Sequence, residues 1–212
     1  MSCFPFFMDI GGKPALVAGG GTVALRKIEK LLPYGPHLTV VAPVIAEEIA
    51  ALPGLRILPR PFQAEDLEGM AFVIAATAER KTNRQIASLC HRRGILVNVV
   101  DDPAACTFLF PALVKRGELS VGVSTGGASP SAAIYLKEQI ETLLPGNLEE
   151  ILNFLKDIRP TVQAALPEED QRSQALSLLF RRCLERGRGL TERETEDCLR
   201  AVRTAEEKGG TL

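Results

Sequence analysis

The sequence predicts an α/β protein in which a doubly wound parallel sheet precedes a small α+β segment and a helical tail. Three observations indicate this fold class. Short apolar runs alternate with helix-like stretches over residues 1–100, and most of these runs are apolar throughout. Such runs are typical of parallel strands that are covered on both faces. From residue 147 onward the pattern is helical only.

Five strands are predicted in the first half of the chain. They are expected at residues 14–19, 38–43, 55–59, 70–76 and 95–100. Helices are expected between them at residues 22–32, 45–52 and 81–94. The third helix ends with Arg92, Arg93 and Gly94, and cationic residues followed by glycine mark the C-terminus of a helix. Strands and helices that alternate in this way favour a doubly wound sheet.

The second half of the chain has a different pattern. One more strand is predicted at residues 118–124, and the helix predicted at residues 129–144 has Ser129 as its N-cap. Three further helices are predicted at residues 147–166, 169–186 and 191–207. Thr191 and Glu194 fit a capping box at the start of the last helix. We therefore expect three parts, over residues 1–113, 114–145 and 146–212.

Composition excludes several classes of function. The chain has 212 residues, of which 46% are hydrophobic and 24% charged, as expected for a soluble globular protein. The formal net charge is −1, so no overall positive field favours a nucleic-acid partner. An acidic ligand would therefore need a local cluster of basic residues.

The N-terminus and the cysteines indicate a cytoplasmic protein. The sequence "MSCFPFFMDI" has no basic region and reaches Asp9 too early for a signal peptide. No apolar run approaches the ~20 residues of a membrane span, so we expect no membrane partner. The five cysteines show no CxxC or Cys/His cluster, so neither a disulfide framework nor a zinc site is expected. They are Cys3, Cys90, Cys106, Cys183 and Cys198.

A glycine-rich loop follows the first predicted strand and opens the first predicted helix. In "VAGGGTVALRK", Gly19, Gly21 and Ala24 fit the pattern G-x-G-x-x-A. The glycines permit a tight turn and a close approach of the backbone to a pyrophosphate, which the N-terminus of the helix then faces. This context predicts a Rossmann-like dinucleotide-binding domain over residues 1–113. The alternative is a glycine turn without a ligand.

The second predicted strand does not decide between NAD and NADP. Dinucleotide sites often carry Asp or Glu at this point for the ribose 2′-hydroxyl. Here the strand ends in Val41, Ala42 and Pro43, with neither an acid nor an arginine suited to a 2′-phosphate. Backbone groups near Pro43 and Val44 could hold the ribose instead.

Two carboxylates follow the last predicted strand of the first half. The run "ILVNVV" leads directly into Asp101 and Asp102, and Pro103 comes next. The carboxyl ends of parallel strands form the ligand-binding edge of an open α/β sheet. We therefore expect Asp101 near the cofactor crevice. The alternative is that either aspartate is a turn or helix-capping residue before the proline, an interpretation that fits Asp102 better than Asp101.

Several separated stretches together resemble precorrin-2 dehydrogenase, the NAD-dependent enzyme of siroheme synthesis. They are "FPFFMDIGGKPALVAGGGTVALRKIEKLL", "VVAP", "VIAAT", "NVVDDPAACTFLFPALVKRGELSVGVSTGGASPSAA" and the helical tail. The resemblance covers essentially the whole chain, with its motifs in the right order. A chain of 212 residues has no room for the methyltransferase domain of multifunctional siroheme synthase, so we expect the stand-alone form.

The resemblance implies an activity, a cofactor and partners. The activity is oxidation of precorrin-2, a tetrapyrrole, to sirohydrochlorin, with NAD as hydride acceptor. Some members also act as ferrochelatases that insert Fe²⁺ to give siroheme, and a homodimer is implied. The first aspartate of the motif "NVVD" is the family's catalytic carboxylate, and that position is Asp101 here. A carboxylate there is suited to accept a proton. Asp102 does not inherit this role.

The resemblance also assigns binding residues. Besides the glycines of the loop, the cofactor contacts carry over to Thr22, Val23, Pro43, Val44 and Thr77. The substrate contacts carry over to Ser124, Thr125, Gly126 and Gly127, which precede Ser129 and Pro130. Backbone N–H groups and hydroxyls at the start of a helix suit an anionic group. Thr125 stands where some members have a serine that can be phosphorylated.

The substrate's carboxylates need cationic partners. The candidates near predicted strand ends or loops are Arg26, Lys27, Arg80, Lys81, Arg84, Lys115 and Arg116. Neither His37 nor His91 has a partner spaced like a metal pair, so we expect no metal site built from protein side chains. The sequence therefore supports dehydrogenation more firmly than iron insertion.

Residues 114–145 are expected to form a dimerisation segment, and residues 146–212 a helical C-terminal domain. The strand at residues 118–124 could pair with a second subunit, and homodimers are the commonest oligomers. A second class of function uses the same glycine loop, namely a non-catalytic, NAD-responsive binding module that senses redox state. The strand-end carboxylate favours the enzyme, because a sensor has no evident need of a base.

Overall fold

The computed structural model describes residues 4–207, so Cys3 lies outside the described residues. The chain divides into two compact units, and the division falls between Phe110 and Pro111. The finer division into three parts, with boundaries after residues 113 and 145, stays a prediction.

The first unit contains a five-stranded parallel sheet. Its strands are β1 (Pro14–Ala18), β2 (His37–Val41), β3 (Arg56–Leu58), β4 (Phe72–Ala75) and β5 (Leu96–Val99). Their order across the sheet is β3-β2-β1-β4-β5, and every neighbouring pair is parallel. The order reverses between β1 and β4, which places a ligand crevice at the carboxyl ends of these two strands. The predicted α/β, Rossmann-like fold class is confirmed.

Three helices accompany this sheet, α1 (Thr22–Leu31), α2 (Glu47–Ala50) and α3 (Arg80–Arg93). In α1 the residues at helical spacing that face the sheet, Ala24, Ile28 and Leu31, are buried, as expected for an amphipathic helix. Helix α3 ends at Gly94, whose φ of 67° is left-handed. The predicted cationic last turn and glycine C-cap are thus present.

The core lies on both faces of the sheet. In β1, Ala15 and Val17 pack into the cluster on one face, whereas Leu16 and Ala18 pack into the cluster on the other. All four side chains are 0% exposed. Complete burial of a Val, Leu, Ile or Phe side chain stabilises the folded state by about 1.5–3 kcal/mol, so the continuous apolar runs hold the sheet together.

The chain after β5 covers the outer edge of that strand. The Val97 amide donates to Thr107 Oγ1 (2.7 Å), and the Thr107 amide donates to the Val97 carbonyl (2.8 Å). The Asn98 side-chain amide donates to the Phe108 carbonyl (3.0 Å). An edge strand otherwise presents unpaired amides to solvent and to other chains. Residues 106–108 therefore take the place of a sixth strand.

The second unit begins with an antiparallel pair, β6 (Ala112–Arg116) and β7 (Leu119–Val123). Strand β7 was predicted from the sequence, whereas β6 was not. Helices α4 (Pro130–Leu143), α5 (Leu148–Ala165), α6 (Glu169–Arg186) and α7 (Glu192–Glu207) follow. The Ala132 amide donates to Ser129 Oγ (3.1 Å), which confirms the predicted N-cap of α4.

The capping box predicted before α7 is also present. The Thr191 amide donates to the Glu194 carboxylate (2.9 Å), and the Glu194 amide donates to Thr191 Oγ1 (3.3 Å). Buried side chains of α5, α6 and α7, among them Ile151, Leu179 and Val202, form one apolar cluster. In the described part of the chain, no helix has the length and apolar character needed to cross a bilayer.

Candidate functional site

Two glycines of the loop are required by the packing of the first unit. Gly19 has φ 134°, and a β-carbon on it would overlap the carbonyl oxygen of Ala76. A β-carbon on Gly20 would overlap the carbonyl oxygen of Val44. The Gly20 carbonyl also accepts a hydrogen bond from the Ala46 amide (2.9 Å). The loop thus packs closely against two chain segments, the one that follows β4 and the one that follows β2.

Gly21 differs from the other two. It precedes α1, is exposed, and a β-carbon on it would meet nothing within 4 Å. No side chain caps α1, and its first turn carries no acidic residue. The first amides of a helix have no partner within the helix, and together with the helix dipole they attract anions. The open space and these amides fit the pyrophosphate of a dinucleotide.

Four further predicted cofactor residues lie at the same edge of the sheet. Thr22 and Val23 form the first turn of α1, while Pro43 and Val44 follow β2. Val44 is 80% exposed and Val23 41% exposed, although both are apolar. The structure therefore brings these residues together beside the glycine loop, with apolar surface left open to a ligand.

Thr77, the last predicted cofactor residue, follows β4 and is held by Asn83. The Thr77 amide and hydroxyl both donate to Asn83 Oδ1, at 3.0 and 2.7 Å. In return, the Asn83 amide group donates to the Thr77 carbonyl (3.0 Å). Asn83 is only 4% exposed. Sequence reasoning missed Asn83, and a polar residue on the buried face of α3 was the available signal.

Asp101 lies two residues beyond the end of β5, which ends at Val99. Its φ is 58°, and it is the one non-glycine residue with positive φ in the described part of the chain. Its side chain is exposed, and no hydrogen bond or ion pair links it to any described residue. Asp is among the few residues that adopt this backbone conformation readily. Asp101 is therefore both a turn residue and a carboxylate available to a ligand.

Asp102 has a different environment. Its carboxylate accepts a hydrogen bond from Arg84 Nε (3.0 Å), and its side chain is 19% exposed. It also precedes the single-turn helix Pro103–Ala105. The carboxylate of Asp102 thus has a partner within the protein but makes no capping hydrogen bond to that helix, and Arg84, a candidate for the substrate's carboxylates, already has an acidic partner.

Lys27 on α1 is a half-buried cation. Its ammonium group lies 4.0 Å from the centre of the Phe110 ring, a distance typical of a cation–π contact. Burial, followed by repulsion from Lys30, lowers the pKa of Lys27. No described carboxylate forms an ion pair with it, so this candidate remains available to an anionic ligand.

The predicted substrate loop belongs to the second unit. Thr125 Oγ1 accepts a hydrogen bond from the Ser129 amide (3.1 Å) and donates one to the Ser129 carbonyl (3.0 Å). Gly126 and Gly127 have left-handed φ values of 63° and 89° and are exposed. The Gly126 amide donates to Ser124 Oγ (3.3 Å). The Thr125 hydroxyl thus shapes the loop, and the roles of these residues in substrate binding stay predictions.

Potential metal ligands are dispersed in the described part of the chain. No group of three or more His, Cys, Asp or Glu side chains there could hold a metal ion. His37 is exposed, and His91 Nε2 lies 3.1 Å from the Ala105 carbonyl oxygen. Cys90, Cys106, Cys183 and Cys198 are free thiols.

Curated relatives carry names that match the predicted pathway. The chain is 40% identical over 171 residues to the siroheme synthase of Methylococcus capsulatus, covering 79% of this chain and 36% of that protein. It is 42% identical over 173 residues to the siroheme synthase of Ectopseudomonas mendocina, covering 81% and 37%. The chain thus spans under two fifths of the length of these relatives.

A solved structure and a family model complete the comparison. The structure of "SirC, precorrin-2 dehydrogenase" matches with a TM-score of 0.72 and 26% identity, covering 95% of this chain and 100% of that one. The family model described as "Putative NAD(P)-binding" matches residues 6–112, which confirms the predicted class of cofactor. The chain therefore belongs to this NAD(P)-binding family, and its predicted resemblance to precorrin-2 dehydrogenase is confirmed.

Proposed function

We propose that this protein oxidises precorrin-2 to sirohydrochlorin, with NAD as the hydride acceptor. The observation that carries the proposal is the exposed carboxylate of Asp101, at the carboxyl edge of the sheet that also bears the glycine loop. The match along the full length of a precorrin-2 dehydrogenase supports the same activity.

The residues of the first unit have separate tasks in this proposal. NAD, when bound, supplies the acceptor for the hydride that the tetrapyrrole loses. The amides at the start of α1 hold the pyrophosphate, and the open position at Gly21 lets it approach the backbone. Backbone groups at Pro43 and Val44 hold the ribose. Thr77, fixed by Asn83, supports the loop after β4.

Asp101 completes the reaction. Oxidation removes a hydride and a proton from the substrate, and a new carbon–carbon double bond forms from the remaining electrons. The Asp101 carboxylate accepts the proton and releases it to water, which its exposure permits. A correctly placed general base contributes about 10²–10⁴-fold to the rate of such a step. Lys27 is the proposed partner of one of the substrate's carboxylates.

We also propose that the second unit forms a homodimer. On α4, Ile134 is 52%, Tyr135 59% and Leu143 80% exposed. A two-stranded sheet such as β6–β7 is only marginally stable by itself, so a second copy of the chain is the partner that would cover this apolar surface. Analytical ultracentrifugation should give a dimer for the wild type and a monomer for Ile134→Glu with Tyr135→Glu. A wild-type monomer at micromolar concentration would contradict the proposal.

Insertion of Fe²⁺ into sirohydrochlorin is a second candidate activity, because the curated relatives are named siroheme synthases. Here Fe²⁺ is a substrate, and Asp101 would accept the pyrrole N–H protons. The test supplies sirohydrochlorin and Fe²⁺ anaerobically without NAD. Siroheme formation faster than in a protein-free control, and lost in Asp101→Asn, would support this activity. A rate equal to that of the protein-free control would leave dehydrogenation as the only proposed activity.

The main experiment follows the absorption spectrum of precorrin-2 during anaerobic incubation with NAD. The wild type should convert it to sirohydrochlorin with one NADH formed per substrate, and Asp101→Asn should lose nearly all turnover. Asparagine keeps the shape of the side chain and tolerates the left-handed backbone. Calorimetry should show that the variant still binds NAD. A wild type that binds NAD and leaves precorrin-2 unchanged would instead support the NAD-responsive binding module.

A further inference from the structure

The thiol of Cys106 lies among groups on both sides of Asp101 in the chain. Its sulfur is 3.1 Å from the Val99 amide nitrogen and 3.3 Å from the Val99 carbonyl oxygen. It is also 3.5 Å from the Asp102 carbonyl oxygen and 3.6 Å from Nδ2 of Asn98. A single sulfur atom thus contacts the end of β5 and the far side of the turn that carries Asp101.

The hydrogen-bond roles of this thiol follow from its chemistry. The Val99 and Asn98 N–H groups are donors, so the sulfur accepts from them. The single S–H proton is directed to the carbonyl of Val99 or of Asp102. Val99 is 4% exposed, and its amide lies at the end of a strand whose outer edge residues 106–108 cover. The thiol therefore replaces the acceptor that a further strand would have supplied.

The turn needs such a restraint. Asp101 has φ 58°; Asp adopts this left-handed conformation more readily than most residues, but it remains less favourable than the extended and right-handed regions, so surrounding contacts stabilise it. Its own side chain forms no hydrogen bond or ion pair with the described residues. Asp102 is fixed on one side by Arg84, and Cys106 is the side chain that ties Asp102 back to Val99.

We propose that Cys106 is a positioning residue for proton transfer, because its thiol holds the turn from Val99 to Asp102 and thereby places the Asp101 carboxylate. The inference rests on the proposed function, in which Asp101 is the base. Cys106 touches neither substrate nor cofactor in this proposal. It acts only through Asp101.

The test compares three single variants with the wild type. Cys106→Ala removes the thiol, while Cys106→Ser retains one donor and one acceptor. Cys90→Ala is the matched control, because Cys90 is a buried cysteine of the same apolar cluster that Cys106 packs against, and it has no place in the site. Thermal denaturation checks that each variant is folded. The readouts are kcat, KM, the NAD dissociation constant and amide hydrogen exchange at Val99 in the ligand-free protein.

Cys106→Ala should lower kcat by about tenfold to hundredfold, the scale expected for a displacement of about 1 Å in a catalytic group. The dissociation constant for NAD should not change, because the glycine loop is intact. Exchange of the Val99 amide should accelerate, and Cys106→Ser should recover most of the kcat. Cys90→Ala should affect thermal stability without affecting kcat.

Combination with Asp101→Asn separates this inference from the proposed function. If the thiol acts through Asp101, adding Cys106→Ala to Asp101→Asn should not lower the residual rate further. A further loss, a wild-type kcat in Cys106→Ala, or unchanged Val99 exchange would each overturn the positioning role while Asp101 remained the base. Wild-type turnover in Asp101→Asn would show that the base assignment itself is wrong, and the positioning role would fall with it.

Discussion

Gly19 passes so close to Ala76 that a β-carbon on the glycine would overlap the alanine's carbonyl oxygen. The same addition at Gly21 would meet no atom within 4 Å. Two glycines of one motif therefore have different physical requirements. The fold demands the first, and only a ligand could demand the second.

Gly19→Ala should destabilise the protein. The substitution forces a residue with a side chain to φ 134° and against a backbone carbonyl. We expect a loss of about 2–4 kcal/mol in the free energy of unfolding from strain and overpacking. Urea denaturation measures this loss. A variant as stable as the wild type would show that the segments after β1 and β4 are not packed as described.

Gly21→Val should weaken NAD binding and leave the fold intact. The side chain enters empty space at an extended backbone position, with φ −97° and ψ −172°, but it occupies the space proposed for the pyrophosphate. The affinity should fall by at least about tenfold, which corresponds to ~1.4 kcal/mol. Isothermal calorimetry measures it, with thermal denaturation as the control for folding. Unchanged affinity would place the cofactor elsewhere.

Asp102→Asn should leave most of the dehydrogenase activity. The ion pair it breaks joins Asp102 to an Arg84 side chain that is 68% exposed, and pairs of this kind contribute about 0–1 kcal/mol. Steady-state rates should therefore separate Asp102→Asn from the nearly inactive Asp101→Asn. Equal losses in the two variants would mean that the adjacent carboxylates act as a unit.

Asn83→Leu should destabilise the loop after β4. The change removes the acceptor of the Thr77 amide, and an unsatisfied amide costs about 1–3 kcal/mol, whereas the Thr77 hydroxyl keeps the Glu79 carbonyl as an acceptor (3.2 Å). Gln85→Leu, the same kind of substitution at an exposed position of α3, is the matched control. Denaturation should rank the Asn83 variant below the Gln85 variant, and equal stabilities would contradict the prediction.

Because of Glu194, the stability of the second unit should depend on pH in the acidic range. Hydrogen bonds from Arg188 first, and from the Thr191 amide next, lower the pKa of Glu194 from 4.5 to about 2. A carboxyl group whose pKa is lower in the folded state stabilises it above the unfolded pKa, and this contribution disappears as the pH falls through the folded pKa.

The melting temperature of Glu194→Gln should therefore lie below that of the wild type at neutral pH. The difference should shrink between pH 4.5 and about 2. Glu196→Gln, on an exposed residue of the same helix without an ion pair to the described residues, is the control. A difference that stays constant down to pH 2 would contradict the assigned cause.

The strands of the sheet could be predicted because a strand that is buried on both faces needs apolar residues at successive positions, and such a run is visible in the sequence. Strand β6 was missed because only Ala112, Leu113 and Val114 precede Lys115 and Arg116, and three apolar residues are too few to indicate a strand. Residues 112–116 form a strand because they pair with β7. Local patterns cannot show a partner of this kind.

In the site, too, some features follow from local sequence, whereas others depend on tertiary packing. The glycine loop and the strand-end position of Asp101 follow from local sequence and from the rule that ligands bind at the carboxyl edge. The contact of Arg84 with Asp102 and that of Cys106 with Val99 depend on how α3 and the segment after β5 pack. In each pair the two residues belong to different segments of the chain, so periodicity within a single element could not have revealed these pairs.

The central position of β1 has a consequence for the order of events during synthesis. This strand emerges from the ribosome before the other four strands of the sheet, yet its two neighbours are β2 and β4, and Ala15 is paired with Phe72. Contacts so distant along the chain are slow to form, because the loop between them must close before they stabilise anything. A nascent chain that ends before β4 leaves one side of β1 without its partner. The first unit therefore becomes competent to fold late, when its last strands are available, and until then its apolar segments depend on protection from aggregation.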